Sequence, residues 1–385
     1  MAPPKFSILI PTRDRPDTFQ HTLKTVIEQE GDDFEIVVAD NCGSPRTREI
    51  VDKSGSNKIK YIRSDTILPM AENWEKGLAE CKGEYVTVLG DDDGFLPSTL
   101  GIARNIINQT SARLVSWRMH TYWWPDTIVI WNRNRLQVIF GENASFMDKR
   151  DMLRRFYSGD AQFGNLPMIY NSFVHKSYIQ MVTEKHGCYF AIPHIPDVFS
   201  GVVNLATDNG TWVHANRPLT VRGNSGKSNG TAQFARSLGE KQREQYFNEE
   251  KIKLEKMIHK DLVPSPNLEI IIANCKIRCK ELLFPNDKEL NVNIVSVITK
   301  MINALNNEPE AYNENLSDIM QLAEKHNHVI DKQNIPKRQP AIRIPFSGPI
   351  VNNNETTGVV VNGDLAGISD IYSASRLADA LMPPL

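Results

Sequence analysis

The first hundred residues alternate short β-branched runs with helix-spaced ones, and this alternation constrains the fold more than anything else in the chain. KFSILIP (5–11) reads as a strand that stops at Pro11, and PDTFQHTLKTVIEQ (16–29) places Phe19, Leu23, Val26 and Ile27 at helical spacing. FEIVVAD (34–40) is apolar almost throughout, which suits a parallel strand covered on both faces. SPRTREIVDKSG (44–55) predicts a short helix ending near glycine, and IKYIRS (59–64) a third strand. MAENWEKGLAECKG (70–83) predicts a helix stopped by Gly83, and EYVTVLG (84–90) a fourth strand. Such alternation implies a Rossmann-like, mainly parallel sheet, whose ligands bind outside the carboxyl ends of its strands. Asp40 and the run Asp91–Asp92–Asp93 both fall at such ends.

Beyond the fourth strand, residues 111–233 mix short strands (RLVSWRM, TIVIW), polar loops and a helix around 147–157, and the glycine- and serine-rich RGNSGKSNG (222–230) closes the region. The expected catalytic domain therefore spans 1–233. A helical extension is expected over 234–334, with apolar stripes such as Ile252, Leu254, Met257 and Ile258 that the catalytic domain, a second copy of the chain or a membrane surface could cover. Residues 335–385, with VNNNETTG and several prolines, read as an extended or partly disordered tail. The net charge of −2 over 385 residues offers no basic excess for nucleic acid. No apolar run is long enough to span a bilayer, and MAPPKFSILIPTRDRP lacks a secretory apolar core. Five scattered cysteines without finger-like spacing argue against zinc and for a reducing cytosol.

Three adjacent carboxylates repel one another and raise one another's pKa unless a cation sits among them. Hard oxygen ligands at a strand's carboxyl end suit Mg²⁺ or Mn²⁺, which keep waters and bridge to substrate phosphates. A calcium loop does not fit, because the spaced D-x-D-x-D-G ladder is absent.

SILIPTRDRPDTFQHTLKTVIEQ, FEIVVADN, ENWEKGLAECKGEYVTVLGDDDGFLP and, further on, PDVFSGVVNLA together resemble a family 2, GT-A-fold glycosyltransferase over roughly residues 5–230. The resemblance implies inverting transfer of a sugar from a nucleotide diphosphate donor, a UDP-sugar above all, to an acceptor hydroxyl with a bound divalent metal. The partners implied are a nucleotide sugar and a carbohydrate or lipid-linked glycan acceptor. The expected setting is cytoplasmic, with peripheral contact to a membrane. A non-catalytic sugar-nucleotide-binding or scaffold protein on the same fold is the alternative. A nucleotidyltransferase is disfavoured, because no G-x-G-T-R segment follows the first strand.

Counting back from Pro97, the resemblance puts the metal-binding carboxylate on Asp92, the ribose contact on Asp91 and a supporting role on Asp93. It makes Asp40 the acceptor for a nucleobase imide, with capping of the following turn as the plain alternative. PTRDR (11–15) matches the family's nucleoside-binding segment at Pro11 and Thr12; Arg13 stands where an aromatic is usual, and Arg15 follows. Asn73, one turn before Gly77, is implied near the donor. Asp197 occupies the place of the family's catalytic base, with Pro196 where a Glu is usual and with a helix N-cap as the alternative; Asp160 and Asp208 are reserves. Gly226-Lys227-Ser228 imitates the end of a P-loop, but the glycine four residues earlier is replaced by Arg222. The loop is expected to close over the diphosphate with Lys227 or Arg222 supplying positive charge, a flexible linker to the helical extension being the alternative. Trp123 and Trp124 are expected as acceptor contacts, with core packing as the alternative.

Overall fold

A computed structural model of the chain describes residues 3–192, 195–207, 210–228, 230, 236–340 and 347–383. It divides into two compact units, one of residues 1–148, 167–228 and 345–385 and one of residues 149–166 and 229–344.

The first unit is built on a mixed sheet whose N-terminal half is parallel. β1 (Phe6–Thr12) is flanked by β2 (Phe34–Asp40), with Phe6 opposite Phe34 and Thr12 opposite Asp40, and by β4 (Tyr85–Val88). β3 (Ile59–Arg63) completes the order β3-β2-β1-β4. The connecting helices are α1 (Pro16–Ile27), α2 (Pro45–Ser54) and α3 (Met70–Ala79). Phe19, Leu23 and Val26 of α1 pack with Ile8, Ile10, Ile36 and Val38 in one core, the pairing that their spacing predicts. A Cβ on Gly77 would lie 2.4 Å from a methyl of Leu9 and 3.0 Å from Ala39, so α3 packs close to the sheet at this glycine and a larger residue would displace Leu9. This parallel register brings the carboxyl ends of β1, β2 and β4 to one edge.

The remaining strands are β5 (Gly94–Phe95), β6 (Leu114–Trp123), β7 (Arg135–Ile139), β8 (Ala144–Met147), β9 (Ser172–His175) and β10 (Trp212–Asn224). The stretch TIVIW, expected as a strand, holds the 3-10 turn Ile130–Asn132, and pairing resumes at β7. β10 runs parallel to β6 from Trp212 beside Leu114 to Asn224 beside Trp123, which carries its end to the same edge as the acidic run. α4 (Thr99–Thr110), α5 (Lys149–Ser158), α6 (Lys176–His186) and α7 (Pro196–Ala206) complete the chain as far as the helical unit. Of these, α5 belongs to the helical unit, where Arg150 donates to Asp287 and to Glu289.

The tail expectation is corrected for residues 348–381. β11 (Gly348–Asn352) and β12 (Glu355–Asn362) form a hairpin that adds to β7. Its turn places Asn353 and Asn354 at φ 48° and 63°, a geometry that asparagine tolerates, so the polar run is turn chemistry rather than disorder. The helix Ile371–Leu381, capped by Asp370, buries Ile371, Ala374 and Ala378 against Leu96, Tyr122, Trp124 and Leu136. Tyr372 and Arg376 both donate to the carboxylate of Glu28, the residue that caps α1, and so hold that carboxylate below its ordinary range against the opposing effect of burial.

The helical unit has its own core, with Ile270, Ile298, Met301, Leu305, Ile319 and Leu322 at its centre. Met257 and Ile258 of the expected apolar stripe are buried in it, and Ile252 and Leu254 pack against it. Among the described residues no helix is long and apolar enough to cross a membrane.

Candidate active site

The acidic run follows β4 directly, and each of its carboxylates is held differently. Thr12 Oγ1, at the end of β1, donates to Asp91 Oδ2 at 2.8 Å, and Arg15 donates to Asp91 Oδ1 at 3.0 Å. Ser225 donates to Asp92 Oδ2 through its hydroxyl at 2.6 Å and its backbone N–H at 3.2 Å. The N–H of Gly223 donates to Asp93 Oδ1 at 2.7 Å, and that of Gly90 to Asp93 Oδ2 at 3.2 Å. Asp92 Oδ1 is thus the one carboxylate oxygen of the three residues that takes no hydrogen bond among the described residues.

The cation that three adjacent carboxylates call for is, within the chain itself, Arg15. Burial works against its charge, but Asp91, Asp92 and Asp93 together hold the guanidinium above its ordinary pKa. Burial also raises Asp92, partly offset by Arg15. Asp93 is pushed up to about 7, by burial first and then by the charge of Asp92. A site with one open carboxylate oxygen and unrelieved negative charge fits a hard divalent cation that takes its other ligands from a diphosphate and water. No group of three or more His, Cys, Asp or Glu among the described residues is arranged to hold a metal by itself. Asp92 is the residue that fits a metal; both Asp93 oxygens brace the backbone of this loop and of β10.

The RGNSG loop, which sequence reasoning set beside the diphosphate, forms the opposite wall. A Cβ on Gly223 would fall 1.9 Å from the Asp92 carbonyl oxygen, so only glycine lets β10 come this close. Lys227 donates from Nζ to the Asp14 carbonyl at 3.1 Å, and Arg15 donates to the Lys227 carbonyl, which straps residues 225–228 to the segment 13–15. Asp14 itself sits at φ 50° and accepts from the N–H of Ser44. Pro11 is buried in β1, and Arg13 is half-buried beside this strap.

Other expected site residues are placed less simply. Asp40 is fully buried and accepts from the Gly43 N–H at 2.7 Å and the Tyr61 hydroxyl at 2.6 Å, the turn-capping alternative. Asn73 donates to the Ala39 carbonyl at 3.2 Å, and its buried Oδ1 has no partner among the described residues. Trp124, expected at the acceptor, is 5% exposed and donates its indole N–H to the Asp92 carbonyl at 3.0 Å. It is scaffold beneath the acidic run, and its apolar face is covered by the core. Trp123 is half-buried, with the Arg135 guanidinium 5.9 Å from its ring centre.

Asp197 is the second residue of α7, two places beyond the cap position, which Ile195 holds. Burial raises its carboxyl, against the helix N–H groups of Val198 and of Asp197 itself. Of the reserves, Asp160 lies in the helical unit, accepting from Ser158, and Asp208 lies outside the described residues. Ser225, Gly223 and Tyr170 were not singled out from sequence. Only the glycine-serine character of 222–230 signalled the first two, because their partners lie more than a hundred residues away in the chain.

Residues 7–174 match the model described as glycosyl transferase family 2. The GalNAc(5)-diNAcBac-PP-undecaprenol beta-1,3-glucosyltransferase of Campylobacter jejuni is 27% identical over 164 residues, 41% of this chain and 50% of that one. The abequosyltransferase RfbV of Salmonella typhimurium is 27% identical over 107 residues, 26% of this chain and 32% of that one. The chain thus spans half or less of the length of the curated relatives it matches. Among solved structures, S. aureus TarS 1–349 in complex with UDP-GlcNAc is similar at 16% identity and TM-score 0.48, over 85% of this chain and 93% of that one.

Proposed function

We propose that this chain, whose residues 7–174 match the glycosyl transferase family 2 model, transfers a sugar, with inversion, from a UDP-sugar to an acceptor hydroxyl in glycan or polysaccharide synthesis. The observation that carries this reading is the acidic run at the end of β4, cross-braced by Thr12, Arg15 and Ser225 so that Asp92 Oδ1 alone is left open.

Asp92 would hold Mn²⁺ or Mg²⁺, which supplies charge stabilisation to the departing diphosphate without proton transfer. Asp91, fixed by Thr12 and Arg15, would accept from a ribose hydroxyl of the donor. Arg15 and Lys227 add positive charge on the diphosphate side. Asp197 acts as the base. A bond forms between the acceptor oxygen and the anomeric carbon as the bond from that carbon to the diphosphate oxygen breaks. The acceptor's proton passes to the Asp197 carboxylate, and the electron pair leaves with the diphosphate. Its raised pKa brings this carboxylate closer to neutrality, where a general base works best. The Campylobacter jejuni relative is named for an acceptor on PP-undecaprenol, and a lipid-linked glycan at the cytoplasmic membrane surface is the acceptor class we assign here.

Calorimetry of UDP binding with and without Mn²⁺ tests the reading. The wild-type chain is expected to bind UDP more tightly with Mn²⁺, and Asp92→Asn to lose that gain while melting at an unchanged or higher temperature. Equal metal dependence in both proteins would remove Asp92 from the metal site. Binding of UDP-sugars without transfer or hydrolysis would favour a non-catalytic role on the same fold.

A further inference from the structure

Tyr170 lies in the 3-10 turn Ile169–Asn171, and the turn is pinned to both halves of the site. On one side Thr87 Oγ1 of β4, the strand that carries the acidic run, donates to the Ile169 carbonyl at 2.9 Å. On the other the Ile169 N–H donates at 2.9 Å to Ser200 Oγ of α7, and Ser200 in turn donates to the Asp197 carbonyl. Asn171 closes the turn through its N–H to the Met168 carbonyl at 3.0 Å. Tyr170 is held between these anchors, half-buried, and its hydroxyl makes no hydrogen bond among the described residues.

A phenol hydroxyl so placed has an unusual set of neighbours. Burial first, then the charge of Asp197, raise its pKa; Asp93 adds to this and Arg222 opposes it. The hydroxyl therefore keeps its proton and remains a donor. The charges of Asp197 and of Asp93 both reach it.

We propose that Tyr170 is a specificity-determining residue that donates a hydrogen bond to an oxygen of the sugar being transferred. This rests on the function proposed above, because an inverting displacement places the sugar between its departing diphosphate, at Asp92, and the base, at Asp197. Tyr170 is the side chain that the turn fixes between those two points with an unspent donor. The ligand class it recognises is a hydroxylated or N-acetylated pyranose. The nucleoside and the diphosphate lie outside its role.

The experiment compares two ligands in two proteins. Dissociation constants are measured with Mn²⁺ for UDP and for whichever of UDP-glucose, UDP-galactose, UDP-GlcNAc and UDP-GalNAc most raises the melting temperature of the wild-type chain. Tyr170→Phe keeps the ring and removes the donor. It is expected to weaken binding of the UDP-sugar on the order of tenfold, with UDP affinity and melting temperature unchanged. Unchanged UDP-sugar affinity overturns the assignment, as does an equal loss for UDP, which would mark a structural role. If the wild-type chain binds neither UDP nor any of the sugars, the functional reading fails and the assignment fails with it; if it binds them and the variant matches it, only the assignment fails.

Discussion

Arg15→Gln removes the protein's own counter-charge from a run of three carboxylates, and its cost follows from burial. The Arg15 and Asp91 side chains are 17% and 7% exposed, so the pair belongs with buried ion pairs. Breaking those costs about 3–5 kcal/mol, whereas an exposed pair is worth roughly 0–1. The cost depends on pH in a direction that can be worked out. Asp93 ionises near 7 in the folded chain against 3.8 ordinarily, so the folded chain holds an extra proton between those values. That contribution to stability is complete below about pH 4 and is lost as pH rises through 7, and the raised Asp92 acts in the same sense. At pH 5 protons therefore substitute for part of the missing guanidinium, and at pH 8 they do not. Urea titrations of both proteins should show a destabilisation of about 3 kcal/mol at pH 8 that falls to roughly half at pH 5. An equal loss at both pH values would refute the argument, because it would mean that Arg15 acts through packing and its bond to the Lys227 carbonyl rather than through charge.

Asp197→Asn should lower turnover on the order of 10²–10⁴-fold while UDP-sugar affinity stays near that of the wild type. Steady-state kinetics beside calorimetry checks it, and near-normal turnover would remove Asp197 as the base. A chain ended at residue 346 should aggregate or melt at a much lower temperature. It uncovers Leu96, Tyr122, Trp124 and Leu136, and each large apolar side chain so exposed costs about 1.5–3 kcal/mol. Calorimetric melting decides this, and an unchanged transition would make the hairpin and last helix dispensable.

What could be read from the chain alone was what local period and local chemistry encode. The β1 to β4 register rests on apolar runs that can be buried only in a parallel sheet, and that register fixes where Asp40 and Asp91–Asp93 emerge. The sequence also marked the acidic run as short of a cation; of the RGNSGKSNG segment expected as a loop beside it, Arg222–Asn224 instead end β10. It could not say which cation, because Arg15 and Asp91 meet only when β1 and β4 lie side by side. The three aspartates were divided only by the family resemblance, not by any local pattern: both Asp93 oxygens go to the backbone of Gly90 and Gly223, and Ser225 takes one oxygen of Asp92, partners that β10 brings in by running parallel to β6. The tail was misread for a related reason. Asn353 and Asn354 look like low complexity until their left-handed turn is seen, and an alanine-rich helix declares its buried face only once α1 and Trp124 are there to cover it. Trp124 itself shows the division plainly. Its residue type suggested sugar binding, but its indole N–H finds the Asp92 carbonyl across 32 residues of chain, a contact set by strand order and by no local pattern.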